Sequence, residues 1–181
     1  YDITGIPSSI DVVMVLKVIG LAILCAILSS LFCIFMTIVH KLFRKYFKNQ
    51  YLRVFAGGLM LVLLNIVLKT TDYNGTGMNI IAKALNGDAQ PAAFLLKALF
   101  TAITIGCGFR GGEIVPSFFV GATFGCVAGG LMGMDPGFAA ALGMVCFFCG
   151  VVNCPLTSLF LSIELFGANG IMFFTIGCAV S

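Results

Sequence analysis

The feature that most constrains the fold of this chain is an uncharged stretch of 22 residues, Val18 to Val39, flanked by Lys17 and His40. A helix that crosses the hydrocarbon of a bilayer needs about 20 apolar residues. Only 9% of the 181 residues are charged and 60% are hydrophobic, whereas about a quarter of a soluble domain is charged. The composition therefore predicts an all-α, multi-pass membrane protein embedded in a lipid bilayer. It excludes an ordinary soluble enzyme and a nucleic-acid binder.

The other apolar segments are short or interrupted. The uncharged runs at 54–68 and 98–109 are short for a simple crossing, the run at 114–134 is long enough, and residues 153–155 divide the run at 136–163. Within a bilayer, backbone leaves regular helix only where it is buried in protein or lines a cavity. Some transporters use such broken helices to direct a helix end at an ion. The pattern predicts a bundle of broken helices rather than plain receptor-like spans.

Basic residues are concentrated in one connection. Residues 40–53 contain five Lys or Arg residues and no acid, and such residues are enriched in cytoplasmic loops. We therefore expect the 40–53 loop to be cytoplasmic. The connection from Lys69 to Lys97 has nearly balanced charges and is expected to face the opposite side of a plasma or inner membrane.

A glycine-rich segment, residues 106–116, reads GCGFRGGEIVP and precedes a long apolar run. Pro116 suits the first turn of a helix, where its missing N–H costs nothing. The N–H groups at a helix start have no acceptor within the helix, and the helix dipole adds positive charge there. The segment therefore predicts an anion site made from the backbone N–H groups of Gly112, Glu113, Ile114 and Val115.

Two other interpretations of this segment have to be weighed. Arg110 and Glu113 could pair and simply stabilise a tight loop. The pattern GxGxxG at residues 106–111 could indicate a phosphate site, but it follows no strand of a βαβ unit, and no Lys-Ser/Thr pair completes a P-loop. The phosphate interpretation is the weakest of the three.

The eight cysteines all lie in apolar or glycine-rich runs, where cysteine behaves as a small hydrophobe. Cys146 and Cys149 have the spacing of a metal or redox pair. No second pair lies nearby, and the single histidine is more than a hundred residues away. We therefore expect these cysteines to pack helices, and we expect neither a metal nor another cofactor.

The run after Pro116 has a stripe of small residues. Its members, at every fourth position, are Gly121, Gly125, Gly129 and Gly133. Such a stripe lets another helix approach closely. Further along, Asn153 is predicted to cap the next helix and Pro155 to occupy its first turn.

The residues now described resemble the CLC family of chloride channels and chloride/proton exchangers. The segment 111–116, GGEIVP, with Phe118, Gly121 and Gly125 after it, is similar to the family's GGxxxP motif and the helix that follows. The segment 153–157, NCPLT, with Glu164, is similar to a family helix near the dimer interface. The resemblance covers nearly the whole chain.

The resemblance implies a fold, a function and a partner. The fold is the C-terminal half of an inverted-repeat bundle with broken, tilted helices. Residues 1–181 would form a single transmembrane fragment, the second repeat, which lacks the first half and the last helix. The function would be the transport of chloride or a similar halide, by a channel or a proton-coupled antiporter. Backbone N–H groups at Glu113 and Ile114 would bind the central anion, and the partner would be a second copy.

Glu113 departs from the pattern of the chloride-transporting members, in which this position is commonly apolar. A glutamate here resembles a subset that includes fluoride/proton antiporters. That subset also has a threonine two residues later, where this chain has Val115. Chloride and fluoride both stay open. We expect Glu113 to influence anion selectivity or proton coupling, with Arg110 as its counter-charge.

Four apolar residues are predicted to contribute to the homodimer interface. They recur at helical spacing after Pro155 and are Leu156, Leu159, Phe160 and Ile163. Glu164 follows them and is more readily explained as a structural or interfacial acid than as a functional one.

Two functions of other classes compete with anion transport. An intramembrane enzyme would need paired acids, histidines or a metal set, and His40 with scattered acids does not supply one. We therefore expect no enzymatic activity. A non-transporting membrane assembly subunit is compatible with the glycine stripe and the apolar helices.

Overall fold

The computed structural model describes residues 11–69, 73–168 and 170–181, and all regular elements in these ranges are α-helices. In chain order they are α1 (Val12–Tyr46), α2 (Gln50–Leu68), α3 (Met78–Leu85), α4 (Ala93–Gly106), α5 (Ile114–Leu131), α6 (Pro136–Val152), α7 (Pro155–Phe166) and α8 (Ile171–Val180). By length and composition, α1, α2 and α5 can each cross a membrane, whereas α4, α6, α7 and α8 are shorter apolar helices. The predicted all-α fold with interrupted helices is confirmed.

The long helix α1 extends further than its apolar stretch. Its 35 residues span about 52 Å, which exceeds the hydrocarbon thickness of about 30 Å. The segment 40–53 was expected to be a loop, but most of it forms the last turns of α1 and the first turn of α2. The observed loop is only residues 47–49. Asn49 caps α2 by accepting the N–H of Tyr51 at 3.1 Å. The addition of residues 50–53 makes α2 19 residues long, so our expectation of a short segment was wrong.

Helix α6 lies at the centre of the fold. It contacts α1, α3, α5, α7 and α8, and residues 137–149 are all buried. Its most extensive contact is with α5. An ideal Cβ added to Gly121 of α5 would lie 2.7 Å from the carbonyl oxygen of Gly143 in α6. Glycines therefore let the two backbones touch directly.

Gly133 differs from the other three predicted glycines. Helix α5 ends at Leu131, and Gly133 follows in a turn with φ 67°. The Lys17 ammonium donates a hydrogen bond to its carbonyl oxygen at 3.0 Å. The prediction that Gly133 belongs to the packing stripe was wrong, because α5 ends before this residue and the chain turns there.

The junction between α6 and α7 also corrects one expectation. Asn153 has φ 55° and ends α6, whereas Cys154 is the residue before α7. Asn153 therefore does not cap the next helix as predicted, because it adopts the left-handed conformation that asparagine tolerates better than most residues. Pro155 is in the first turn of α7, as predicted.

Three cysteines link the central helix to its neighbours. The Cys149 thiol donates to the carbonyl oxygen of Cys178 at 3.6 Å, and the Cys25 thiol donates to that of Gly143 at 3.9 Å. All three cysteines are buried free thiols. In the described part of the chain they pack helices together.

Candidate functional site

The break between α4 and α5 is held by a contact to α2. The Arg53 guanidinium donates through Nε to the carbonyl oxygen of Cys107 at 3.2 Å, just past the end of α4. Gly108 follows with φ 101°, and an ideal Cβ there would lie 3.1 Å from Arg53 Nη2. Both the backbone angle and the nearby guanidinium require glycine. The chain can therefore turn here and begin a new helix.

The start of α5 leaves three backbone donors without partners inside the helix. The first bond of the helix runs from the Ser117 N–H to the carbonyl oxygen of Glu113 at 3.0 Å. The N–H groups of Glu113, Ile114 and Val115 precede that bond, and Pro116 has none. Beside them, an ideal Cβ on Gly112 would meet no atom within 4 Å. An anion can therefore reach these donors.

A cavity of about 690 Å³ lies in front of this helix start; we call it the α5 cavity. Its wall comprises the start of α5, the inner face of α4 and the segment 73–76, and no Asp or Glu is among its described lining residues. The hydroxyls of Thr101 and Thr104 line it but donate to carbonyl oxygens one turn earlier, at 2.8 and 2.7 Å. These two hydroxyls therefore do not supply free donors, whereas the N–H groups at the start of α5 and a lysine remain among the donors of the cavity wall.

That lysine, Lys97, was missed by the sequence analysis, which placed it at the end of an outward-facing connection. It lies in the first turns of α4 and is only 2% exposed. The uncharged, mostly apolar residues on both sides of it, 91–96 and 98–103, were the available signal. A charged residue within an apolar run belongs to a helix more often than to a loop. Such a residue usually pairs with another charge or with backbone carbonyls.

The structure separates the residues predicted for the anion site. Gly112, Ile114 and Val115 line the α5 cavity, whereas Glu113 is exposed and is not among the lining residues. Arg110 is exposed as well, and the two described side chains form no ion pair with each other. The expected pairing was wrong because residues 109–112 are not helical, so a spacing of three does not place both side chains on one face.

Helix α7 presents an exposed face that includes most of the predicted interface. Leu156 and Phe160 are 72% and 71% exposed, and Ile163 is 37% exposed. Leu159 differs because it is partly buried and packs against the core. Glu164 is exposed beside this face.

Together the fold and the site define a class of protein: a membrane protein in which a broken helix directs its N-terminus into an internal cavity, the arrangement that transporters use for ions. The chain belongs to the voltage-gated chloride channel family, because the model of that family, described as "Voltage gated chloride channel", matches residues 1–181. The resemblance to the CLC family is confirmed.

Individual relatives agree with this family. The chain is 32% identical over 157 residues to the "Chloride/fluoride channel protein" of Pseudomonas syringae pv. tomato, which covers 82% of this chain and 35% of the relative. It is 26% identical over 155 residues to the "H(+)/Cl(-) exchange transporter ClcA" of Vibrio cholerae, with 78% and 33% covered.

A solved structure extends the likeness to the fold. A CLC-type fluoride/proton antiporter superposes with a TM-score of 0.91 at 30% identity, covering 97% of this chain and 45% of that chain. The CLC-type fold is therefore confirmed. The chain spans about a third of the length of the two relatives described above and under half of the antiporter.

Proposed function

We propose that this protein transports chloride or another small halide across a membrane, and that this chain contributes the α5 half of the anion pathway. One observation supports this most: Ile114 and Val115, whose N–H groups have no partner inside the helix, line a cavity of about 690 Å³ whose described lining contains no acid. A helix start of this kind binds anions through its N–H groups and its dipole. The family membership agrees with this geometry.

The names of the relatives agree on small halides but differ in the halide and in the transport mechanism. One relative is named a chloride/fluoride channel, another an H(+)/Cl(-) exchanger, and the solved structure is a fluoride/proton antiporter. We propose transport of a small halide, with protons as a further substrate if the mechanism is antiport. A non-transporting assembly subunit would need the glycine packing but not the cavity, so the cavity favours transport over assembly.

We also propose how the chain is placed. Coverage of 45% of the antiporter chain suits one of two repeats, and the motif order described above suits the second. The basic residues at the end of α1 and the start of α2 favour a cytoplasmic position for residues 40–53, in a plasma or inner membrane. The segment 73–76 would then lie on the outer side.

The proposed anion site predicts the position of a bound halide. Crystals of the full-length protein soaked in bromide should give anomalous density within hydrogen-bonding distance of the N–H groups of Ile114 and Val115, because these donors and the helix dipole point to one position. Crystals soaked in chloride provide the control. Bromide density confined to surface lysines would contradict the proposal.

We further propose a homodimer in which the exposed face of α7 forms part of the contact. Leu156, Phe160 and Ile163 are spaced by four and three residues and so share one helix face. Lipid is as apolar as these side chains, so association depends on shape rather than on hydrophobicity. A two-fold interface contains the same patch twice, so each substitution changes the interface at two positions.

The dimer proposal predicts the effect of a bulky substitution. Phe160→Trp combined with Ile163→Trp should lower the crosslinked dimer fraction in lipid vesicles at least about twofold, since both side chains alter the shape of the patch. Leu131→Trp, at a position 86% exposed at the end of α5, is the matched control. Leu159 is left unchanged because it packs against the core. A dimer fraction equal to that of the unsubstituted protein would place the interface elsewhere.

A further inference from the structure

Lys97 is the only charged side chain among the buried residues of the described ranges. Its ammonium donates to the carbonyl oxygen of Tyr73 at 3.0 Å and to that of Gly75 at 2.6 Å. It also lies 5.1 Å from the centre of the Phe119 ring. One side chain of α4 therefore connects the segment 73–76 with α5.

These contacts solvate the charge without neutralising it. A buried ammonium is costly unless it is hydrogen-bonded or paired, and two carbonyl oxygens and an aromatic face supply favourable partial charges. Within the described ranges, no carboxylate forms an ion pair with Lys97. Among the described residues, no acid balances the ammonium charge on the wall of the α5 cavity, and this charge has the same sign as the partial charge of the helix start.

The position of this charge relates it to the proposed pathway. The α5 cavity is lined by the segment 74–76, by Lys97 and other residues of α4, and by the start of α5. An anion in this cavity is therefore exposed to the ammonium charge of Lys97 as well as to the helix start. The low polarity of the surroundings strengthens the interaction relative to water.

We propose that Lys97 has two roles in this cavity: it positions the segment 73–76 as part of the cavity wall, and its charge draws anions into the α5 cavity and disfavours cations. The second role rests on the proposed anion transport; the first does not. A lysine that only stabilised the fold would hold the segment in the same way but would produce no charge selectivity in the cavity.

The selectivity can be measured without transport. Thr76 lines the cavity, so a Thr76→Cys variant of the full-length protein, with the exposed Cys154 changed to Ser, reports the local potential. Its rates of modification by a negatively charged methanethiosulfonate and by a positively charged one are compared, each relative to a free thiol. The negatively charged reagent should be favoured, and Lys97→Met should lower that preference about fivefold.

Lys83→Met is the matched control. Lys83 is an exposed lysine of α3 that does not line the α5 cavity, so its removal deletes the same formal charge from the same part of the chain. It should leave the reagent preference nearly unchanged because exposed charges are screened by salt. An equal loss in both lysine variants would show that general surface charge, rather than Lys97, sets the potential.

The proposal stays testable if Lys97→Met does not fold. The preference for the negatively charged reagent should already be present in the Thr76→Cys protein that keeps Lys97, and it should be retained when Lys97→Arg is added. A preference near one in the Lys97 protein would overturn the proposal, as would follow if Asp72, which lies outside the described residues, neutralised Lys97.

Flux measurements then separate this proposal from the proposed function. In vesicles, Lys97→Met should raise the half-saturating halide concentration several-fold with a smaller change in maximal rate, and Lys97→Arg should restore it. An unchanged half-saturating concentration in Lys97→Met would overturn the role of the charge in anion entry. Reagent preference without any halide flux would leave the local assignment intact and refute transport instead.

Discussion

Replacing Gly125 with valine is expected to prevent stable packing of α5 against α6. An ideal Cβ on Gly125 would lie 2.9 Å from the Cα of Gly143 and closer still to the carbonyl oxygen of Ala139. These neighbours are backbone atoms of a buried helix and cannot rotate away. Overpacking of this kind costs about 3 kcal/mol, and β-branching adds to the crowding. A loss of that size is a large part of the total stability of a domain, about 5–15 kcal/mol.

A control on the same helix makes this prediction specific. Gly130 of α5 is exposed, and an ideal Cβ there meets nothing within 4 Å. Gly130→Ala should therefore leave the melting temperature in detergent unchanged or raise it slightly, since alanine favours helix over glycine. Gly125→Val should lower it strongly, or yield aggregated protein in size-exclusion chromatography. Equal melting temperatures for the two variants would show that close α5–α6 contact is not essential.

Changing Glu113 to glutamine is expected to alter anion selectivity or proton coupling. Glu113 is the residue immediately before the free N–H groups of Ile114 and Val115, and its exposed side chain lies outside the α5 cavity. An ionised carboxylate there acts on a bound anion from the solvent side of the helix start, where the repulsion between two like charges is on the order of 1 kcal/mol. Glutamine removes that charge and introduces an amide hydrogen-bond donor. We expect the chloride-to-fluoride flux ratio to change severalfold, or the number of protons moved per anion to fall.

The geometry strengthens this expectation, because Arg110 does not pair with Glu113 and so does not neutralise it. Flux of both halides and of protons should be measured in vesicles at one membrane potential. Glu164→Gln, the same substitution at an exposed acid of α7, is the matched control and should change neither quantity. Should Glu113→Gln behave like this control, Glu113 would have no part in selectivity or coupling.

Residues whose role depends on local sequence were predicted well. Pro116 lies in the first turn of α5, as predicted, because its ring and missing N–H suit that position, and residues 153–155 divide two helices because proline cannot continue one. The glycines at 121, 125 and 129 lie on α5 at a four-residue spacing, which helical periodicity alone requires. Gly133 was predicted wrongly because the end of a helix depends on competing turn contacts, here the Lys17 hydrogen bond.

Residues whose role depends on distant contacts were not predictable in this way. Lys97 is joined to backbone carbonyls 24 and 22 positions earlier, and its flanking residues indicate a helix but not which distant carbonyls it contacts. Leu159 shares the spacing of its neighbours on α7, but core packing takes it away from their exposed face.

The sequence by itself determined that this chain is a bundle of apolar, interrupted helices with a helix start suited to an anion. Hydrophobic composition, proline and glycine act through the residue itself and its nearest neighbours, so they can be interpreted along the chain. The tertiary structure alone decided which groups face that helix start. It placed Lys97 in the wall of the α5 cavity and left the Glu113 side chain outside it. The reason is physical: the environment of a charge is set by the helices packed around it, and those helices come from distant parts of the chain.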